Sequence, residues 1–201
     1  MALTILIAGS NNSVAKLLIE MLKIICLNKN IIIHHKYYPK LYSLDHPSLM
    51  IHMIVVEEEN REILNIINKF DVVILLDSAL SSIMTKYLKE KSSHVITSNT
   101  YSPMLSKELD CDVQKDVKKL SKIAENVLIV NVDDENLAKL PRTAREHALA
   151  TIFLRAIYET KLLPVKRDKF IDALKMMFAS DKVVRFCVRM FDKASKLISK
   201  M

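Results

Sequence analysis

Short apolar blocks of strand character alternate with longer stretches of helical spacing along most of this chain. Leu3 to Ala8 is an apolar run rich in β-formers, broken by Gly9 to Asn12. From Ser13 to Leu27 the apolar positions Val14, Leu17, Leu18, Met21, Leu22 and Ile25 follow a helical period. Asn11, Asn12 or Ser13 can cap that helix. A second apolar run, Ile31 to Ile33, completes a predicted βαβ unit and with it a parallel sheet with a right-handed crossover. Lys36 to Pro47, with Tyr37, Tyr38, Pro39 and Tyr42, reads as a loop. Ser48 to Val56 reads as a strand, and Glu57 to Lys69 as a helix whose leading acids suit the positive end of its dipole. Asp71 to Leu76 (DVVILL) has the look of a strand buried on both faces. Further segments are a helix over Leu80 to Leu88, a strand over His94 to Thr97 and a helix over Asp112 to Glu125. A strand over Val127 to Val132 and a short helix over Asp133 to Lys139 follow.

After Pro141 the strand signal stops. Thr143 to Tyr158, Lys166 to Phe178 and Asp181 to Ser199 all carry helical periodicity. The predicted class is α/β: a Rossmann-like, mostly parallel sheet with flanking helices, followed by a C-terminal helical section. Residues 1–160 form the α/β domain of this reading, and residues 161–201 are basic helices packed on it.

Composition sharpens the picture at one residue type. The 201 residues include one glycine, Gly9, where about 14 would be ordinary. A Walker-type phosphate loop or an intact G-x-G-x-x-G fingerprint is thereby excluded. The net charge of +7 is equally local. Residues 161–201 hold 11 Lys/Arg and 4 Asp/Glu, so the remainder of the chain is balanced. Whole-protein affinity for nucleic acid is therefore not implied. Cys26, Cys111 and Cys187 are widely spaced, which fits reduced, buried thiols. The opening segment lacks signal-peptide character and no run is long enough to span a membrane, so the expected location is the cytoplasm.

The candidate chemistry lies at the first turn. A strand end followed by a helix N-terminus offers free N–H groups to an anion, and Gly9, Ser10, Asn11, Asn12 and Ser13 form that turn. Asp77, after the most buried strand, points to the same crevice and could orient a substrate; capping the next helix is its alternative. Asp133 and Asp134 carry the same ambiguity, and a place in the first turn of a short helix explains them. His34, His35, His46 and His52 cluster without metal-ligand spacing, and no nucleophile elbow is present. In the last helix Val184, Cys187, Val188, Phe191, Ala194 and Ile198 make an apolar stripe. Lys182, Arg185, Arg189, Lys193, Lys196 and Lys200 lie off it. Such a face is solvated, docks an acidic protein partner, or meets a membrane surface or nucleic acid.

Three stretches carry a family resemblance: LTILIAGSNNSVAKLLIEML, DVVILLDSALSSIMTKYLKEKSSHVITSNT and PRTAREHALATIFLRAIYETKLLP. Over about residues 3 to 178 the chain resembles the gamma-type subunit or domain of 2-oxoacid:ferredoxin oxidoreductases, the indolepyruvate type above all. Gly9 stands at the first glycine of the family's G-x-G-G-Q-G turn, Asn11, Asn12 and Val14 at the others, and Ser13 at its Gln. Asp45, His46 and Pro47 fall where the family has Arg-Gly-Gly. Arg145 replaces an Asn and Ala150 a Gly, while Pro141, Arg142, Thr143 and the acidic Asp77 match. The resemblance implies alpha- and beta-type partner subunits, or a homodimer. It places thiamine diphosphate and Fe–S clusters in partner subunits and implies no activity for this chain alone. The other functions left open are a stand-alone binder of a small anion and an interaction module working through the basic helix.

Overall fold

The computed structural model describes residues 3–9, 13–26, 32–35, 41–46, 49–55, 71–76, 81, 85, 92–99, 113–163 and 165–201. Eight strands form a single sheet: β1 (Leu3–Gly9), β2 (Ile32–His35), β3 (Leu41–His46), β4 (Leu49–Val55), β5 (Val72–Leu75), β6 (Ser92–Ser98), β7 (Ala124–Val130) and β8 (Ile198–Lys200). Their order is β2-β3-β4-β1-β5-β6-β7-β8. From β4 to β7 every pairing is parallel; β2, β3 and β8 join antiparallel. The described helices are α1 (Ser13–Cys26), α2 (Val113–Leu120), α3 (Glu135–Ala138), α4 (Arg142–Glu159), α5 (Arg167–Met177) and α6 (Asp181–Lys193). The fold is α/β, a mostly parallel sheet with flanking helices and a C-terminal helical section.

Three expectations change. The parallel neighbour of β1 is β4, with Ile5 opposite Ile51, and not the run at Ile31 to Ile33. That run becomes β2, which lies beyond β3. The expected loop between Lys36 and Pro47 holds β3, the middle strand of a meander in which Ser43 lies opposite both His34 and His52. An antiparallel strand tolerates a polar sequence such as LYSLDH because it does not need to be buried on both faces. The last helix stops at Lys193. A 3₁₀ turn over Ala194–Leu197 follows, and the chain then pairs with β7 as β8. The predicted helices at 57–69 and 80–88 lie outside the described residues, apart from Ser81 and Thr85, which are helical.

The core sits between one face of the sheet and the helices α1, α4, α5 and α6. Ile5, Ile7, Val72, Ile74, Ile96, Leu128 and Val130 contribute the sheet side. Alternate residues Leu6, Val73, Leu75, Val95 and Val127 point to the opposite face and are equally buried. This is why the five residues after Asp71, VVILL, are continuously apolar. Helix α1 covers the sheet with Leu18, Met21 and Leu22, all fully buried. Helix α4 is buried nearly all round its middle, from Ala148 to Ile157, because it lies beneath other helices as well as on the sheet.

The residues after Thr160 share this core. The rings of Tyr158, Phe170 and Phe191 meet with centroids 5.2–5.9 Å apart, joining α4, α5 and α6. Arg155 lies 5.2 Å from the ring centroids of both Tyr158 and Phe191 and donates to the Glu159 carboxylate at 3.0 Å. Cys187 is buried, and burial pushes its thiol pKa up.

Helix α4 ends without the residue that suits its end best. Lys161 takes φ 57, the left-handed region where a Cβ costs about 1–2 kcal/mol. Thr160 supports it, its hydroxyl donating to the Ile157 carbonyl at 2.7 Å and accepting from the Leu162 N–H at 3.4 Å. Lys161→Gly is expected to stabilise the protein by about 0.5–1 kcal/mol once glycine's greater unfolded freedom is deducted. Lys161→Ala should show no such gain, and a pair of thermal melts separates the two.

Candidate functional site

The parallel strands deliver their C-terminal ends to one edge of the sheet. β1 ends at Gly9, β5 at Leu75, β6 at Ser98 and β7 at Val130. In sheets of this kind, ligands bind beyond that edge. Of the sequence-predicted site residues, Gly9 is the last residue of β1 and Ser13 the first of α1. Ser10, Asn11, Asn12 and Asp77 lie outside the described residues. Gly9 does not adopt positive φ, so what it offers there is the absence of a Cβ, not a special backbone conformation.

Ser13 faces a residue that the sequence does not connect with it. Its hydroxyl hydrogen-bonds the Glu146 carboxylate, from the second turn of α4. Arg142 Nε donates to the same carboxylate at 3.2 Å. The Ser13 hydroxyl, with help from Arg142, holds the Glu146 carboxyl below its ordinary pKa. Helix α1 has no acid in its own first turn, so Glu146 brings negative charge to its positive end from another helix. An internal carboxylate thus stands beside the place where an external anion would bind.

A carboxyl whose folded pKa is depressed adds stability above its unfolded pKa, and that stability is lost as pH falls through the folded value. Ser13→Ala should raise the Glu146 pKa, measurable by NMR titration of its side-chain carboxyl. It should cost under about 1 kcal/mol at neutral pH and nothing in strong acid, where wild type and variant converge. An unchanged Glu146 titration would rule out the contact.

A second polar group at this edge, built on Asn99 and Asn131, escaped sequence reading. Asn99 Nδ2 donates to Asn131 Oδ1 at 2.9 Å and to Asp133 Oδ2 at 3.4 Å. Asn99 Oδ1 accepts from the Val132 N–H at 2.9 Å, and Ser98 Oγ donates to the Leu76 carbonyl at 3.3 Å. These bonds tie the ends of β5, β6 and β7 together and use the asparagine side chains internally. An Asn directly after each of two apolar strands was the available signal, but it needs the strand order to become a pair. Asp134 caps α3, accepting from the Asn136 and Leu137 N–H groups at 2.9 and 3.2 Å. Arg145 donates to the carbonyls of Leu137, Ala138 and Leu140 at the end of α3, holding that turn against α4.

No family model matches the chain, and no curated protein matches it. Solved structures do. The fold is similar to that of pyruvate oxidoreductase subunit PORC from Thermotoga maritima. The two chains are 14% identical, with a TM-score of 0.50, and the match covers 94% of this chain and 89% of that one. At that identity the likeness to PORC is one of fold. It runs through the sheet and on into the C-terminal section.

Elsewhere, an open cleft of about 470 Å³ is lined by Arg155, Tyr158, Glu159, Lys161, Leu163 and Lys200, among others. It lies at the C-terminal end of α4, away from the edge where Ser13 and Glu146 meet. Among the described residues, no three His, Cys, Asp or Glu side chains come together so as to hold a metal ion. No described helix is long and apolar enough to cross a membrane.

Proposed function

We propose that this chain is an accessory, gamma-type-like subunit of a cytoplasmic assembly related to the 2-oxoacid:ferredoxin oxidoreductases, acting on pyruvate, indolepyruvate or a similar oxoacid. In this reading it is a scaffold without activity of its own. Thiamine diphosphate and Fe–S clusters belong to alpha- and beta-type partners. The likeness to the PORC subunit over nearly the whole of both chains supports the architecture. The observation that carries the non-catalytic role is the Glu146 carboxylate beside the first turn of α1. A helix N-terminus next to a fixed anion is a poor receptor for a second one, and three further positions of the turn carry a Cβ where the resembling family has glycine.

Purification of the tagged chain from its native host tests the assembly. Co-elution of a thiamine diphosphate-containing or Fe–S-containing partner in fixed ratio supports the proposal, and a homodimer free of such partners overturns it. Thermal melts with nucleotides and acyl-coenzyme compounds test the scaffold role. A ligand that binds only the native state raises the midpoint, so a clear shift would favour the alternative of a stand-alone anion-binding protein.

A further inference from the structure

The charge excess of the C-terminal section is not spread over the surface. Lys182, Arg185, Arg189, Lys193 and Lys196 are all exposed and recur at spacings of three and four along α6 and the turn after it. They therefore form one stripe, roughly 20 Å long over the helix at 1.5 Å per residue. The opposite side of the helix is spent on the core through Cys187 and Phe191. None of the five cations has an ion-pair partner among the described residues. Arg167, by contrast, pairs with Asp192 at 2.6 Å and Lys175 with Asp172 at 3.5 Å. Five like charges on one face repel one another, and an arriving anionic surface relieves that repulsion.

We infer that this stripe is a docking surface for a protein presenting clustered carboxylates. Three observations select that partner chemistry. Phe191 is fully buried and Phe186 packs against the core, so no aromatic platform is offered to unstacked bases. The exposed large hydrophobic side chains among the described residues are Met176 and Met201, neither within the stripe, so nothing there would enter a bilayer. Arg185 and Arg189, one turn apart, add forked donors that match carboxylate geometry. The inference stands on the isolated chain and does not depend on the subunit reading.

The test uses the full chain and a fluorescent polyglutamate peptide. Wild type is compared with Arg185→Gln/Arg189→Gln/Lys193→Gln and with Lys16→Gln/Lys118→Gln/Lys122→Gln, which loses the same charge from exposed positions elsewhere. Each exposed pair is modest, so about a tenfold loss of affinity is expected in the stripe variant. Less than a twofold loss is expected in the control, and wild-type binding should weaken as salt rises. Single substitution Arg189→Gln, expected to lose about twofold, covers the case of a triple variant with a lowered melting point. Equal loss in stripe and control variants would overturn the inference. So would tighter binding of a short DNA duplex or of phosphatidylserine vesicles at matched salt.

Discussion

A chain cut after Ser180 is expected not to fold. The last 21 residues look, by charge and position, like a removable tail, but the structure gives them core duties. Phe191, Cys187 and Ala194 are fully buried. Without them the side of α4 around Tyr158 and Arg155 loses the Phe191 ring that covers it. β8 also leaves, taking with it the strand bonded to Leu128, Ile129 and Val130. That exposes β7 as an unpaired sheet edge. Removal of one buried Phe alone costs about 3–5 kcal/mol, and a whole domain has about 5–15 kcal/mol to lose. Circular dichroism melting and dye binding should show a non-cooperative, dye-binding species. A cooperative melt within a few degrees of the full chain would mean that α6 and β8 are dispensable and that the core closes without them.

Phe170→Ala is the largest expected effect of a single substitution. The ring is fully buried between Tyr158, at 5.2 Å, and Phe191, at 5.9 Å. Its loss should cost about 3–5 kcal/mol, the transfer term plus the cavity left behind. For a chain of this size that is a fall in Tm on the order of 10 °C. Phe170→Leu keeps most of the volume and should cost about 1.5 kcal/mol or less. Urea unfolding of the three proteins measures the series. Equal costs for Ala and Leu would show that the aromatic contact, not the filled volume, carries the energy.

Elements whose stability is local were legible in the sequence, and elements made by distant pairing were not. β1, α1, β4 and β5 each declare themselves by period, length and bounding polar residues, and fall within a residue or two of their predicted limits. β3 was hidden because Pro39 and Pro47 bracket a polar, Tyr- and His-containing stretch. Its strand character comes from two antiparallel neighbours. β8 was hidden because Ile198 continues the apolar period of α6, while its extended form exists only through β7. The contact of Ser13 with Glu146 is unreadable for the same reason, since α1 and α4 meet only in the fold. Asp134, expected in the first turn of a helix starting at Asp133, is instead the N-cap of a helix starting at Glu135, a local shift of the helix start. The scarcity of glycine reads differently at two places. At the first turn the chain's single glycine, Gly9, ends β1. At the end of α4 a left-handed position is filled by Lys161 instead.

The pairing of β7 with β8 has a consequence in time. Leu128 waits for Lys200, whereas β5, β6 and β7 find one another at shorter separations along the chain. Closure of a contact so distant in sequence is slow relative to local structure. During refolding β5, β6 and β7 should therefore pair first, and β7 should spend an interval as an open template for another chain. Refolding yield should fall as protein concentration rises, most steeply in variants that delay the docking of α6.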